Sequence, residues 1–134
     1  MPLRIVRLGT PRAAGEGTRI GTVRRPPRGV PKAEFASRDY YDVWYPLLSP
    51  TPELMAQGQQ AQQPGKEGDK AWEAFVKQFR KELALPEASR TLDLLAALSH
   101  HSAMSLGCYC EDEARCHRSV LRVELASRGA DIST

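Results

Sequence analysis

Cys108, Cys110 and Cys116 are the three cysteines of the chain, and they fall within nine positions, with His117 and Arg118 directly after the third. A thiol attacks or binds metal only as the thiolate, and a helix N-terminus or a nearby cation favours that form. Four chemistries fit the pattern. Cys116 at a helix start, with His117 as acid/base and Arg118 beside it, makes a nucleophilic or redox thiol. Cys108, Cys110, Cys116 and His117 are the ligand types of zinc, although a Cys-x-Cys pair is tighter than the usual spacer and Cys116 and His117 are adjacent. Cys110 and Cys116 can close a reversible disulfide. Cys108 also reads as a small buried hydrophobe, the common state of a free cysteine. A phosphatase-type loop is excluded. The sixth residue after Cys110 is Cys116 rather than Arg, and the intervening Glu111, Asp112 and Glu113 would repel phosphate.

A second constellation is cationic. Arg24, Arg25, Arg28 and Lys32 are spaced by Pro26, Pro27, Gly29 and Pro31. Prolines stiffen such a loop and lower the entropy lost when its cations order. Arginine offers paired planar donors suited to phosphate or carboxylate. Residues 1–40 hold nine Arg/Lys against three acids, while the rest of the chain holds ten against thirteen. That asymmetry predicts an anionic partner, a phosphate-bearing small molecule or a nucleic acid; a solvated basic surface is the alternative. Arg118 is a cation in a first helical turn, where it opposes the helix dipole. Either a bound anion or the acidic loop at 111–113 must compensate it.

The elements that would position these residues follow from periodicity. The 134 residues, 41% hydrophobic and 26% charged, suit one globular domain. Residues 3–8 and 19–24 read as strands, the second weakened by Gly21, and a further strand can lie within 40–45. Thr51 before Pro52 is a helix start. Residues 56–70 are Gln/Gly-rich with no large apolar side chain, which predicts a flexible loop. Trp72, Phe75, Val76, Phe79 and Leu83 form one helical stripe, with Asp69 as its N-cap and Pro86 as its stop. Residues 87–101 form a second helix, 104–110 a buried strand, and 117–128 a last helix closed by Gly129. The order predicts an α/β fold: a small, mostly parallel sheet with helices on both faces, three-layered and Rossmann-like. Both cysteine and arginine segments then follow strand ends, where such folds place ligands. The odd cysteine count and an N-terminus without a long apolar stretch predict a cytoplasmic protein with no membrane association.

The pieces Arg24, Pro27–Val30, Lys32, Asp42–Trp44, Leu48–Thr51, Trp72, Phe75, Phe79, Arg80, Glu82, Leu83, Cys108 and Cys116–Leu121 resemble the YeaO-like proteins, domain of unknown function 488, over about residues 3–126. The resemblance implies a small cytoplasmic bacterial α/β domain with its site at the Cys-His-Arg end. Relatives carry an acid and a tryptophan in the stretch that here reads Thr22 to Gly29, and often Glu where Cys110 stands. The leading expectation is an anion site built from Arg24, Arg28, Lys32, Cys116, His117 and Arg118. Its rivals are an enzyme using Cys116 with His117, and a zinc-binding regulatory module.

Overall fold

In the computed structural model, which describes residues 2–133, four parallel strands form one sheet in the order β1-β4-β2-β3. These are β1 (Leu3–Arg7), β2 (Thr18–Gly21), β3 (Val43–Trp44) and β4 (Met104–Cys108). Four helices follow from α1 (Pro52–Gln60) through α2 (Gly65–Leu83) and α3 (Pro86–Leu98) to α4 (His117–Ser127). β4 lies between β1 and β2 and is buried at all five positions, as an apolar run of this length requires. No helix among the described residues is long and apolar enough to cross a membrane.

Strand alternation sorts the two faces. Leu3 pairs with Met104, and Ile5 with Leu106 and thence Ile20. These side chains meet Leu54 of α1, Phe75, Phe79 and Leu83 of α2, Leu92 of α3 and Leu121 of α4 in the main core. The opposite face carries Ser105, Gly107, Arg19 and Gly21, and it is covered by loops and by the segment around the 3-10 turn Lys32–Glu34. Gly21 is needed there: a Cβ would stand 2.4 Å from the Tyr41 ring. Arg19, fully buried, donates to both oxygens of Glu16 at 2.7 and 3.0 Å, and Ser105 donates to the same carboxylate. The three layers are therefore helices, sheet, and a cover of loops with a short 3-10 helix.

The Gln/Gly-rich segment departs from expectation. α1 runs to Gln60 and α2 begins at Gly65, so the connection is residues 61–64 alone. Small residues do the packing here. Gly58 sits against Phe75, Ala61 is buried, and a Cβ on Gly68 would stand 1.7 Å from the Gln63 carbonyl oxygen. Absence of large apolar groups thus allows close approach of two helices rather than preventing order. Thr51 caps α1 as expected, accepting from the Leu54 N–H at 3.4 Å while its hydroxyl donates to Glu82 at 2.8 Å. Asp69 lies inside α2 rather than capping it, and pairs with Arg115. Pro86 opens α3 at a position where its missing N–H costs nothing. The third helix stops at Leu98, before His100 and His101, and the fourth strand stops at Cys108, not Cys110.

Candidate functional site: a thiol cluster at the strand ends

Cys108 ends β4 and Cys116 is the N-cap of α4, so the turn between them returns the chain to the carboxyl edge of the sheet. That turn is pinned at several points. Asp112 accepts from the Ala114 N–H at 3.0 Å, and Arg122 grips Glu113 at 2.7 and 2.9 Å. Arg115 donates to the carbonyls of Ala61 and Gly68 at 3.2 and 3.1 Å and lies over the Trp72 ring. Gln62 donates to the Arg115 carbonyl at 2.7 Å. The α1–α2 connection is therefore a support for the cysteine turn.

The sulfurs of Cys108, Cys110 and Cys116 all lie within 4.8 Å of one another. The buried pair, Cys108 and Cys116, has its sulfurs 2.8 Å apart with no covalent bond, in an apolar pocket shared with Leu8, Val23 and Tyr41. Cys110 is exposed. Two clefts meet at it. One, of about 360 Å³, is lined by Val23, Arg24, Arg25, Met55, Cys108 and Tyr109; the other, of about 480 Å³, by Gln59, Phe75, Arg115, Cys116 and His117. A larger groove, about 730 Å³ between α2 and α4, contains none of the cysteines.

His117 is buried and its Nε2 lies 2.7 Å from the Thr22 carbonyl oxygen, which can only accept. In the neutral ring that places the proton on Nε2 and turns the Nδ1 lone pair toward the Cys116 sulfur, 3.7 Å away. Phe79 meets the ring edge-on at 5.9 Å. Arg118 is 3% exposed and donates through Nη2 to the Cys110 carbonyl. Its Nε and the Tyr41 hydroxyl are the buried polar side-chain atoms without a partner among the described residues. No carboxylate of the acidic loop pairs with Arg118 directly: Glu113 is gripped by Arg122, Asp112 caps its own turn, and Glu111 faces Arg7. Burial disfavours the Arg118 charge, but the cysteine cluster, with the Glu113 charge adding to it, outweighs burial and holds it protonated.

The three thiols ionise unequally. The neighbouring Cys108 and Cys116 thiols favour the charged form of Cys110 and, together with the Arg118 and Arg7 charges, outweigh burial and hold it well below the usual thiol range. Contact with Cys108 also lowers Cys116. Cys108 itself is pushed far up by its two sulfur neighbours and by burial. The cluster thus presents a thiolate at its exposed corner and keeps its protons inside.

Of the expected cations, Arg24 lines the first cleft but donates to the carbonyls of Ser49 and Pro50 at 2.9 and 3.1 Å. Arg28 and Lys32 are exposed and line neither cleft. The Tyr109 hydroxyl donates to the Arg25 carbonyl at 2.8 Å, so the start of the basic loop and the cysteine turn do converge. Thr22, Met55, Gln59 and Phe75 are site residues that side-chain type alone did not mark. Thr22 acts through its carbonyl, and Met55 and Gln59 act through a helix that runs further than the sequence predicts.

A cluster of three thiols of this kind can hold a metal ion. Two thiolates on a tetrahedral zinc, each bonded at ~2.3 Å, stand ~3.8 Å apart. The 2.8 Å between Cys108 and Cys116 is shorter by about an ångström, so the buried pair sits closer than zinc ligands do.

No curated protein and no solved structure matches this chain. The family model DUF488-N3a, described as the active DUF488-N3 subclade, matches residues 3–129. With its parallel sheet, its Cys-His-Arg helix start and this match over nearly its whole length, the chain belongs to the DUF488 family of YeaO-like proteins.

Proposed function

We propose that the protein is a thiol-dependent enzyme in which the Cys110 thiolate is the attacking group. The observation that carries this is the placement of the exposed Cys110 sulfur where two clefts meet, within 4.8 Å of two buried thiols. Arg118 holds the negative charge, and His117 Nδ1 accepts the Cys116 proton when that thiol is called on. Description of the matching subclade as active supports catalysis over a purely structural role. Cys116 moves from nucleophile to partner in this reading, because at 3% exposure it is far less accessible than the exposed Cys110 beside it.

An anion-binding role, with a nucleotide, nucleic acid or phosphorylated metabolite as ligand, is the weaker reading. Arg24 and Arg118 spend their donors on carbonyls, and Arg28 and Lys32 lie outside the clefts. A zinc module is weaker because the group supplies three thiols and the expected fourth ligand, His117, is not among them but turns its Nε2 to the Thr22 carbonyl.

Alkylation tests the proposal. Reduced native protein is treated with iodoacetamide between pH 5 and 8 and the labelled cysteine identified by peptide mass spectrometry. Cys110 is expected to react first, at a rate nearly flat above pH 6. Labelling of Cys116 before Cys110, or a Cys110 rate that climbs about tenfold per pH unit up to an ordinary thiol value of ~8.5, would refute it.

A further inference from the structure

We propose that the substrate of this site is a disulfide, and that Cys108 and Cys116 are the electron store that reduces it. The inference rests on Cys110 being the attacking thiolate and adds the fate of the electrons. Three observations carry it. The Cys108 and Cys116 sulfurs are 2.8 Å apart, so closing to a bond of ~2.05 Å needs a movement below an ångström. Both are buried in the pocket of Leu8, Val23 and Tyr41, out of reach of a bulky oxidant. The third sulfur is exposed, lies within 4.8 Å of both and lines the two clefts that Cys108 and Cys116 border, so it is placed to relay a disulfide to them.

The exchange balances in three steps. The Cys110 thiolate attacks one sulfur of the substrate disulfide; a Cys110–substrate disulfide forms, and the other half leaves as a thiolate and takes a proton from water. Cys116 gives its proton to His117 Nδ1 and attacks the Cys110 sulfur, and the second substrate thiolate leaves with that proton. Cys108 then attacks Cys116 as its proton passes to the departing Cys110 sulfur, which loses it to solvent at the exposed corner and is again the thiolate it was at the start. The substrate disulfide has become two thiols, and two buried thiols have become one disulfide. The last step runs in this direction because a disulfide settles on the sulfurs whose thiols are least acidic, and the more acidic thiol is the better leaving group. Cys108 is the least acidic of the three and Cys110 is held below the usual range. Arg118, by stabilising the Cys110 thiolate, pushes the bond inward.

Oxidised glutathione is the probe. Reduced protein is incubated with it without oxygen, blocked with iodoacetamide and mapped by tandem mass spectrometry. The expected result is a Cys108–Cys116 disulfide, a carbamidomethyl group on Cys110, and two equivalents of reduced glutathione released. Cys108→Ser should stop at a disulfide involving Cys110 and block its alkylation. Glutathione retained on Cys110 of the parent protein, with Cys108 and Cys116 still free, would overturn the electron-store inference and leave the nucleophile standing. Rapid alkylation of Cys110 with no reaction toward oxidised glutathione would do the same. A reduced protein that carries one equivalent of zinc and resists both reagents would overturn both.

Discussion

Replacing Arg118 by Met should move the ionisation of Cys110 upward while leaving the fold in place. The guanidinium is buried beside the thiols, with Nη2 on the Cys110 carbonyl. Unit charges ~4 Å apart at an effective dielectric constant of ~20 attract by about 4 kcal/mol, equivalent to ~3 pH units. Cys110 is exposed, and solvent screens part of that. A displacement of about two pH units is therefore expected in the midpoint of the Cys110 alkylation profile. Methionine fills the aliphatic volume of the arginine, so the α4 N-terminus keeps its packing. The assay is the iodoacetamide rate against pH, with circular dichroism to confirm the helices. Arg118→Lys should restore most of the parent profile, since it returns the charge without the planar fork. A folded Arg118→Met protein with an unmoved midpoint would show that the thiol hydrogen bonds alone set the thiolate, and would remove Arg118 from the site.

Two stability measurements probe the frame that holds the site. Burial pushes the Glu16 carboxyl up, but hydrogen bonds from Arg19, Ser105 and the Ala13 N–H override it and hold it near about 2. Since the folded value is depressed, that stabilisation is complete above the unfolded value of ~4.3 and is lost as pH falls toward 2, a change on the order of 3 kcal/mol in urea unfolding. Glu16→Gln should flatten most of this slope, leaving the part from Asp42, which Arg12 holds low; an unchanged slope would place the acid sensitivity elsewhere. Gly21→Ala should cost about 1–3 kcal/mol by forcing a methyl against the Tyr41 ring, and an unaltered urea midpoint would mean that the far-face cover yields freely.

Much of the frame was legible because it obeys simple periods. The buried run at 104–108 and the stripe Phe75, Phe79, Leu83 are each set by one repeat of side-chain type, and the structure places them where those repeats require. What escaped depends on backbone and on small residues. α1 and the start of α2 pack through Gly58, Ala61 and Gly68, whose contribution is the absence of a bulky side chain. β3 is two residues long, too short to carry a period. In the site, the cysteine cluster and the helix-start position of Cys116 were readable from spacing. The exposure order was not, because it is fixed by the turn that Arg115, Gln62 and Arg122 tie down from distant parts of the chain. Arg24 is held by two carbonyls that no residue type announces.

The position of Cys110 gives these observations one physical origin. Arg118 is a buried cation in the first turn of a helix, a place where the dipole and burial both disfavour it. It therefore requires a negative group at the mouth of the turn. YeaO-like relatives often carry Glu at this position, which would meet that requirement with a carboxylate. Cysteine meets it only when ionised, so this electrostatic demand adds to the effect of the two neighbouring thiols in holding Cys110 in its reactive form. Two further sulfurs sit within reach of that thiolate, on β4 and at the α4 cap. A thiol in this place is thus both a charge partner for Arg118 and a group that can form and break a covalent bond.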